Sequence, residues 1–205
     1  MDINLVQFSE LEKIEDFSKQ LKDTVVIVAK DFSLNELTEF NQKKRKSSVK
    51  LLACKIFEKK NNKELQSFRG KADFLGVRGG SIEMNSWAAN QKIDLLLQPF
   101  SSSKNCFDLA TANVLKENNI FVGFLFNEFL NANGFKQTQL MKDAILALKL
   151  LEKAKVNVLF FSGAENEFEM RSAKDLGSFG VFLGMNKQSC VSCKKNSEKL
   201  LERVK

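Results

Sequence analysis

The chain has 205 residues, 43% of them apolar and 28% charged, which suits one globular domain. Lys+Arg 32 against Asp+Glu 25 leaves a net charge of +7 and a pI near 9.2. That balance favours an acidic partner, nucleic acid first and an anionic membrane surface second, with a merely lysine-rich skin as the bland alternative. The absence of histidine excludes imidazole bases, Ser–His and Cys–His nucleophiles and His-ligated metals.

Tyrosine is absent too, despite 19 phenylalanines, and that bias has no physical account. The N-terminus is acidic, and the apolar runs fall far short of the roughly 18–20 residues of a secretory or membrane-spanning segment. Cytoplasmic residence is therefore the expectation.

Taken in order, apolar β-type runs alternate with helical patterns. The runs are Ile3–Phe8, Thr24–Ala29, Val49–Phe57, Phe74–Val77, Ile93–Leu97, Ile120–Phe126, Val156–Phe161 and Phe179–Leu183. Between them, Glu10–Leu21 places Leu11, Ile14, Phe17, Ser18 and Leu21 at helical spacing. Ser33–Asn41 reads as a short helix with Ser33 as N-cap and Glu36 three residues on, the capping-box pattern. Phe107–Asn118 is a further helix with Asp108 near its start. Thr138–Lys153 carries one continuous apolar stripe, Leu140, Met141, Ala144, Ile145, Leu148 and Leu151.

Continuous rather than alternating apolar runs fit strands buried on both faces. The rhythm predicts a parallel β/α architecture: a TIM-barrel-like β/α barrel near the lower size limit of about 200 residues, or a doubly wound open sheet. No linker or composition break divides the chain, so a single domain over residues 1–205 is expected, with a basic, cysteine-containing tail from about residue 186.

The stretch Asp73–Phe100 reads as one strand–turn–helix–strand unit, whose crossover makes its two strands parallel. Its first strand lands on Arg78, Gly79 and Gly80, where α/β sheets bind ligands. A tight turn beside a solvated charge is the alternative. Pro99 follows the fifth run, where a strand has already ended. Lys43–Lys46 (KKRK) is the densest basic run, and Lys59, Lys60, Lys63, Arg69 and Lys71 extend its sign. Such runs hold phosphates without sequence preference, because each contact releases condensed counterions. They also occur as solvated loops.

Four cysteines stand at Cys54, Cys106, Cys190 and Cys193. Cys190 and Cys193 have CxxC spacing but no second pair to complete a structural zinc, so no metal is expected. Cys54 lies inside an apolar run and reads as a buried thiol. Ser162-Gly163-Ala164 follows the seventh run and Gly184-Met185 the eighth, where barrel loops hold phosphate through backbone N–H groups. Arg171 could add a bidentate clamp. Glu165, Glu167 and Glu169 form only an acidic loop or helix face, and no acid–base pair for catalysis accompanies them.

A series of short segments, in chain order, carries a family resemblance. They are VRGG at 77–80, then Asn85 and Ala88, then Asp94–Leu95–Leu96 with Pro99; further on come Lys104, Leu115–Glu117–Asn118 and Asn127; last are Ser162-Gly163-Ala164, Glu169-Met170-Arg171-Ser172 and Gly184-Met185. Together they resemble the protein component 3 family of archaeal ribonuclease P, whose eukaryotic relative is the thirty-kilodalton subunit of the nuclear enzyme. The resemblance covers roughly residues 70–185.

It implies a TIM-barrel-like subunit of the ribonucleoprotein that removes 5′ leaders from precursor tRNA. Ribonuclease P RNA and protein component 2 are the implied partners, precursor tRNA is met indirectly, and no membrane is involved. Catalysis and its Mg2+ then reside with the RNA, and this chain needs no cofactor and no catalytic residue. Arg78, Lys104 and Arg171, with Lys136 after the sixth strand, are the implied RNA contacts. Gly79, Gly80, Ser162 and Gly163 are the matched turns.

The chain departs from the family pattern at Ser86 (usually Arg), Gln98 (His), Asn105 (Asp) and Ala173 (Pro). The lost Arg removes part of the expected basic surface, and the lost His removes any metal-hydrolase reading of related barrels. Two alternatives remain open. One is a barrel enzyme acting on a phosphorylated small molecule through Lys55 or Asp94; the other is a general basic RNA-binding module.

Overall fold

A computed structural model describes residues 3–22, 25–101 and 106–204, with backbone alone for 187–192. The chain runs β1 (Ile3–Val6), α1 (Leu11–Leu21), β2 (Val25–Lys30), α2 (Leu34–Lys43), β3 (Lys50–Phe57), α3 (Asn62–Phe68), β4 (Phe74–Arg78), α4 (Ile82–Ala89) and β5 (Leu95–Leu97). It continues with α5 (Leu109–Glu117), β6 (Phe121–Leu125), α6 (Phe126–Asn131), α7 (Gly134–Lys153), β7 (Val158–Phe161), α8 (Ala173–Phe182) and α9 (Lys187–Leu201). Single 3-10 turns span Lys44–Lys46 and Glu167–Glu169.

The strands are apolar throughout because each is covered on both sides. In β3, Leu52, Cys54 and Ile56 face the barrel interior, while Leu51, Ala53 and Phe57 face the helices. All seven strands are parallel and pair in chain order, β1 to β7. The ring closes where Val6 of β1 bridges Ala164 just past β7.

Side chains reinforce that short seam. Gln7 N donates to Ala164 O at 2.7 Å and Gly163 N to Leu5 O at 2.9 Å. The buried Asn4 Oδ1 accepts from Leu5 N (2.9 Å), Ser162 N (3.1 Å) and the Ser162 hydroxyl (2.7 Å). Closure excludes the doubly wound open sheet.

The fold is therefore a TIM-barrel-like α/β barrel with seven strands, not eight, among the described residues. The run Phe179–Leu183 lies mostly in α8. Phe179 and Leu183 are buried while Val181 and Phe182 between them are exposed, so its period is helical. A five-residue window cannot separate the two periods. In place of a tail, Lys187–Leu201 form α9, which closes the N-terminal end of the barrel. Leu200 and Leu201 pack into the interior cluster. Arg203 Nη1 lies 3.2 Å from Asp94 Oδ1, and its guanidinium sits 4.7 Å from the Phe121 ring.

The capping box of α2 forms as the sequence indicates. Ser33 N donates to Glu36 Oε2 at 2.8 Å, and Glu36 N to the Ser33 hydroxyl at 3.3 Å. Asp108 caps α5 by accepting from Thr111 N at 2.8 Å. None of the described helices is long and apolar enough to cross a membrane.

Candidate nucleic-acid interface

The C-terminal ends of β4 and β5 open into a cavity of about 330 Å³. Arg78, Gly79, Gly80, Gln98, Ser101, Glu128 and Lys136 line it. Arg78 is the last residue of β4, on the interior-facing register, and its guanidinium is paired with the Glu128 carboxylate of α6. Both side chains keep roughly a third of their surface in solvent (29% and 32%). Lys136, exposed in the first turn of α7, stands on the opposite lip.

Local geometry explains the glycine at 79. A Cβ there would lie 2.5 Å from Asn85 Oδ1 and 2.8 Å from Pro99 Cα. The buried Asn85 holds the loop after β5 against it, its amide donating to Pro99 O (2.6 Å) and Cys106 O (2.8 Å). Gly79 N is itself committed to Leu97 O at 2.8 Å. Gly80 takes φ +95°, a left-handed conformation open to glycine at little cost. Gln98 also has positive φ (48°), and its side-chain oxygen accepts from Leu125 N at 3.0 Å. Such strain in a non-glycine residue collects where a fold is over-determined around a site.

The structure thus brings Arg78, Gly79, Gly80 and Lys136 together. Arg171, Ser162 and Gly163 lie elsewhere, at the end of β7, three strands along the ring. Arg171 folds back on its own loop, donating to Phe168 O (2.8 Å) and Met170 O (2.9 Å) beside the Phe126 ring. Ser162 and Gly163 form the barrel seam. Gly163 has φ +62°, and a Cβ there would meet Asn127 Oδ1 at 2.5 Å. Lys104 falls outside the described residues.

Glu128 was not legible as part of the site, because only the fold brings it to an arginine fifty positions away. Its one signal was an acid placed just after a strand end.

The residues named for small-molecule chemistry are structural. Lys55 points away from the barrel interior into the layer under α2 and α3 and is only 2% exposed. Its ammonium pairs with Asp31 and with Glu64 (2.8 Å), donates to Phe32 O at 2.7 Å, and lies 4.5 Å from the Phe68 ring. Asp94 sits at the N-terminal end, accepting from Leu75 N at 2.9 Å and pairing with Arg203.

Burial pushes the Cys54 thiol well up, which keeps it protonated and inert. Cys193 contacts Met185 through sulfur at 3.7 Å, whereas the Cys190 side chain lies outside what is described. Among the described residues, no group of three or more His, Cys, Asp or Glu could hold a metal.

Structural comparison places the chain beside one of the cryo-EM structure of archaeal ribonuclease P with mature tRNA. The TM-score is 0.84 at 20% identity, covering 98% of this chain and 90% of that one. A Xaa-Pro dipeptidase with bound methionine shares the barrel more loosely, with TM-score 0.59 at 10% identity, covering 98% and 75%. These likenesses establish the fold.

In sequence, the chain is 31% identical over 124 residues to ribonuclease P protein component 3 of Thermococcus kodakarensis, 60% of this chain and 56% of that protein. It is 26% identical over 186 residues to the Thermococcus gammatolerans component 3, 90% of this chain and 86% of the relative. The alignment to the Methanosarcina acetivorans component 3 spans 52% of that protein at 26% identity. The chain thus covers little more than half the length of several relatives. A family model described as RNase P subunit p30 matches residues 17–205. On that match, which takes in all but the first strand and part of the first helix, the chain belongs to the RNase P subunit p30 family.

Proposed function

We propose that this chain is a protein subunit of a ribonuclease P ribonucleoprotein. It binds the catalytic RNA and protein component 2 and so supports removal of 5′ leaders from precursor tRNA. The observation that carries the reading is the family match over residues 17–205. A net charge of +7 supports it, since each lysine or arginine set against a phosphate releases condensed counterions. Its task is then to neutralise RNA phosphates, so that the RNA reaches its catalytic fold at lower magnesium.

The RNA contact proposed first is the cavity between Arg78 and Lys136. Exposed apolar side chains on the same rim, Ile82, Phe135 and Phe168, follow β4, β6 and β7 and suit a protein partner docking there. The barrel-enzyme alternative loses its groups, because Lys55 is held in ion pairs on the helix-facing side of β3 and Asp94 is paired at the N-terminal end of the barrel.

Reconstitution tests the proposal. The chain is mixed with a family RNA and component 2, and precursor-tRNA cleavage is followed across a magnesium series. A lower magnesium requirement is the expected result. No binding to the partner and no change in cleavage would remove the subunit function.

A further inference from the structure

Two cations without a carboxylate partner among the described residues stand at the other end of the barrel. The 3-10 turn Lys44–Lys46 leads into β3, and Lys71 precedes β4, so both lie at the N-terminal rim. Lys44 is committed to Asp73, which also accepts from Ala53 N at 2.6 Å. Arg45 and Lys71 have no carboxylate within ion-pair distance among the described residues, and both are exposed.

Between them, against α2, lies a pocket of about 390 Å³ lined by Leu34, Leu37, Asn41, Gln42, Arg45 and Lys71. Asn41 turns its amide nitrogen toward Lys71 O at 3.4 Å. Its Oδ1 is buried and, among the described residues, has no hydrogen-bond partner. A buried acceptor left unmade is costly unless a ligand supplies the donor.

Phosphate oxygens fit the two cations, an exocyclic amine or ring N–H of a base fits the orphaned oxygen, and the leucines offer a flat face an apolar surface. A duplex keeps its base edges paired, so only an unstacked nucleotide can present both groups at once. We propose that this pocket along α2 is a second RNA site, holding one unpaired nucleotide with its phosphate on Arg45 and Lys71 at the N-terminal rim and its base edge on Asn41. The proposal rests on the RNA-binding reading above, and it deepens it by assigning the kind of RNA and a surface along α2, separate from the Arg78 cavity.

Fluorescence anisotropy with a labelled mixed-sequence single-stranded RNA, and with the matching duplex, tests it across a KCl series. Arg45→Gln combined with Lys71→Gln should flatten the single-strand salt slope by about 1.4, two contacts at about 0.7 each. Asn41→Leu should weaken the single strand about fivefold, the factor for one lost hydrogen bond, and leave the duplex unchanged. Thermal melting checks that the variants fold. A 4-thiouridine-bearing strand should crosslink to the peptide of α2 and the turn after it.

Equal losses on duplex and single strand would overturn the nucleotide pocket. Unchanged affinity and slope in both variants, with wild-type binding intact, would overturn this site alone. Failure of the wild-type chain to bind either RNA would instead overturn the RNA reading beneath it. Competition by polyglutamate as effective as by RNA would also count against a nucleotide.

Discussion

Replacing Glu128 by Gln should strengthen RNA binding, although it removes a charge that completes an ion pair. In the native cavity Arg78 is neutralised by Glu128, so a phosphate reaching it must displace a carboxylate. Gln keeps the shape and leaves the guanidinium free. One additional phosphate contact on duplex RNA adds about 0.9 to the slope of log affinity against log salt. Taken against a 1 M reference, that slope corresponds to about fivefold tighter binding at 0.15 M salt and about fifteenfold at 0.05 M. The stability cost should stay below about 1 kcal/mol, because a pair this exposed is screened by water and ions.

Anisotropy titrations at several salt concentrations, with urea unfolding as control, measure both quantities. Adding Arg78→Gln to the Glu128→Gln background should return affinity and slope to the level of Arg78→Gln alone. If Glu128→Gln leaves the slope unchanged or weakens binding, Arg78 does not meet RNA phosphate and the cavity is no part of the interface.

Lys55→Met should cost roughly 2 kcal/mol in urea unfolding. Phe32 O loses its donor inside the protein, worth about 1–3 kcal/mol, while Asp31 and Glu64 can rehydrate. RNA affinity should not change, and loss of binding without loss of stability would show that Lys55 is functional instead. Glu36 is held down from 4.5 to about 2 by the backbone N–H of Ser33 first and Lys30 after it. Its lowered value means stabilisation present above pH 4.5 and lost as pH falls toward 2, so Glu36→Gln should flatten stability across that window; an unaltered acid profile would contradict the cap's contribution. Leu201→Ala should destabilise by about 2–5 kcal/mol, because the side chain fills the closed end of the barrel. A cost under about 1 kcal/mol would mean that α9 merely lies against the surface.

The strands were legible because burial on both sides makes their runs continuously apolar, and the capping box at Ser33 and Glu36 was legible because it is local. The run Phe179–Leu183 misled for the same reason that the strands were visible: five apolar residues suit a buried strand, and the exposure of Val181 and Phe182 appears only in the folded chain. Helix α6 leaves no mark of its own in the sequence, because Phe126 continues the apolar run of β6 without a break. At the site, Arg78 and its glycines stood out as a strand-end cation beside a close backbone approach. Which cations are free could not be read. Glu128 and Asp73 reach their partners only through folding, so Lys44 and Arg45, adjacent in sequence, end with opposite fates.

The seam between β1 and Ala164 gives the barrel a preferred order of assembly. Six ladders join strands that are neighbours in the chain, so each closes a modest loop. The seventh contact joins residues more than 150 positions apart, through one bridge and the amide of Asn4. Once the six are zipped, most of that closure entropy has already been spent, and the seam can shut late and reopen without disturbing its neighbours. The barrel then behaves as a curled sheet with a latch, and the amides of Gln7 and Gly163 should exchange with solvent before those of the central strands. Protection there equal to that in β3 would instead mean that the ring opens only as a whole.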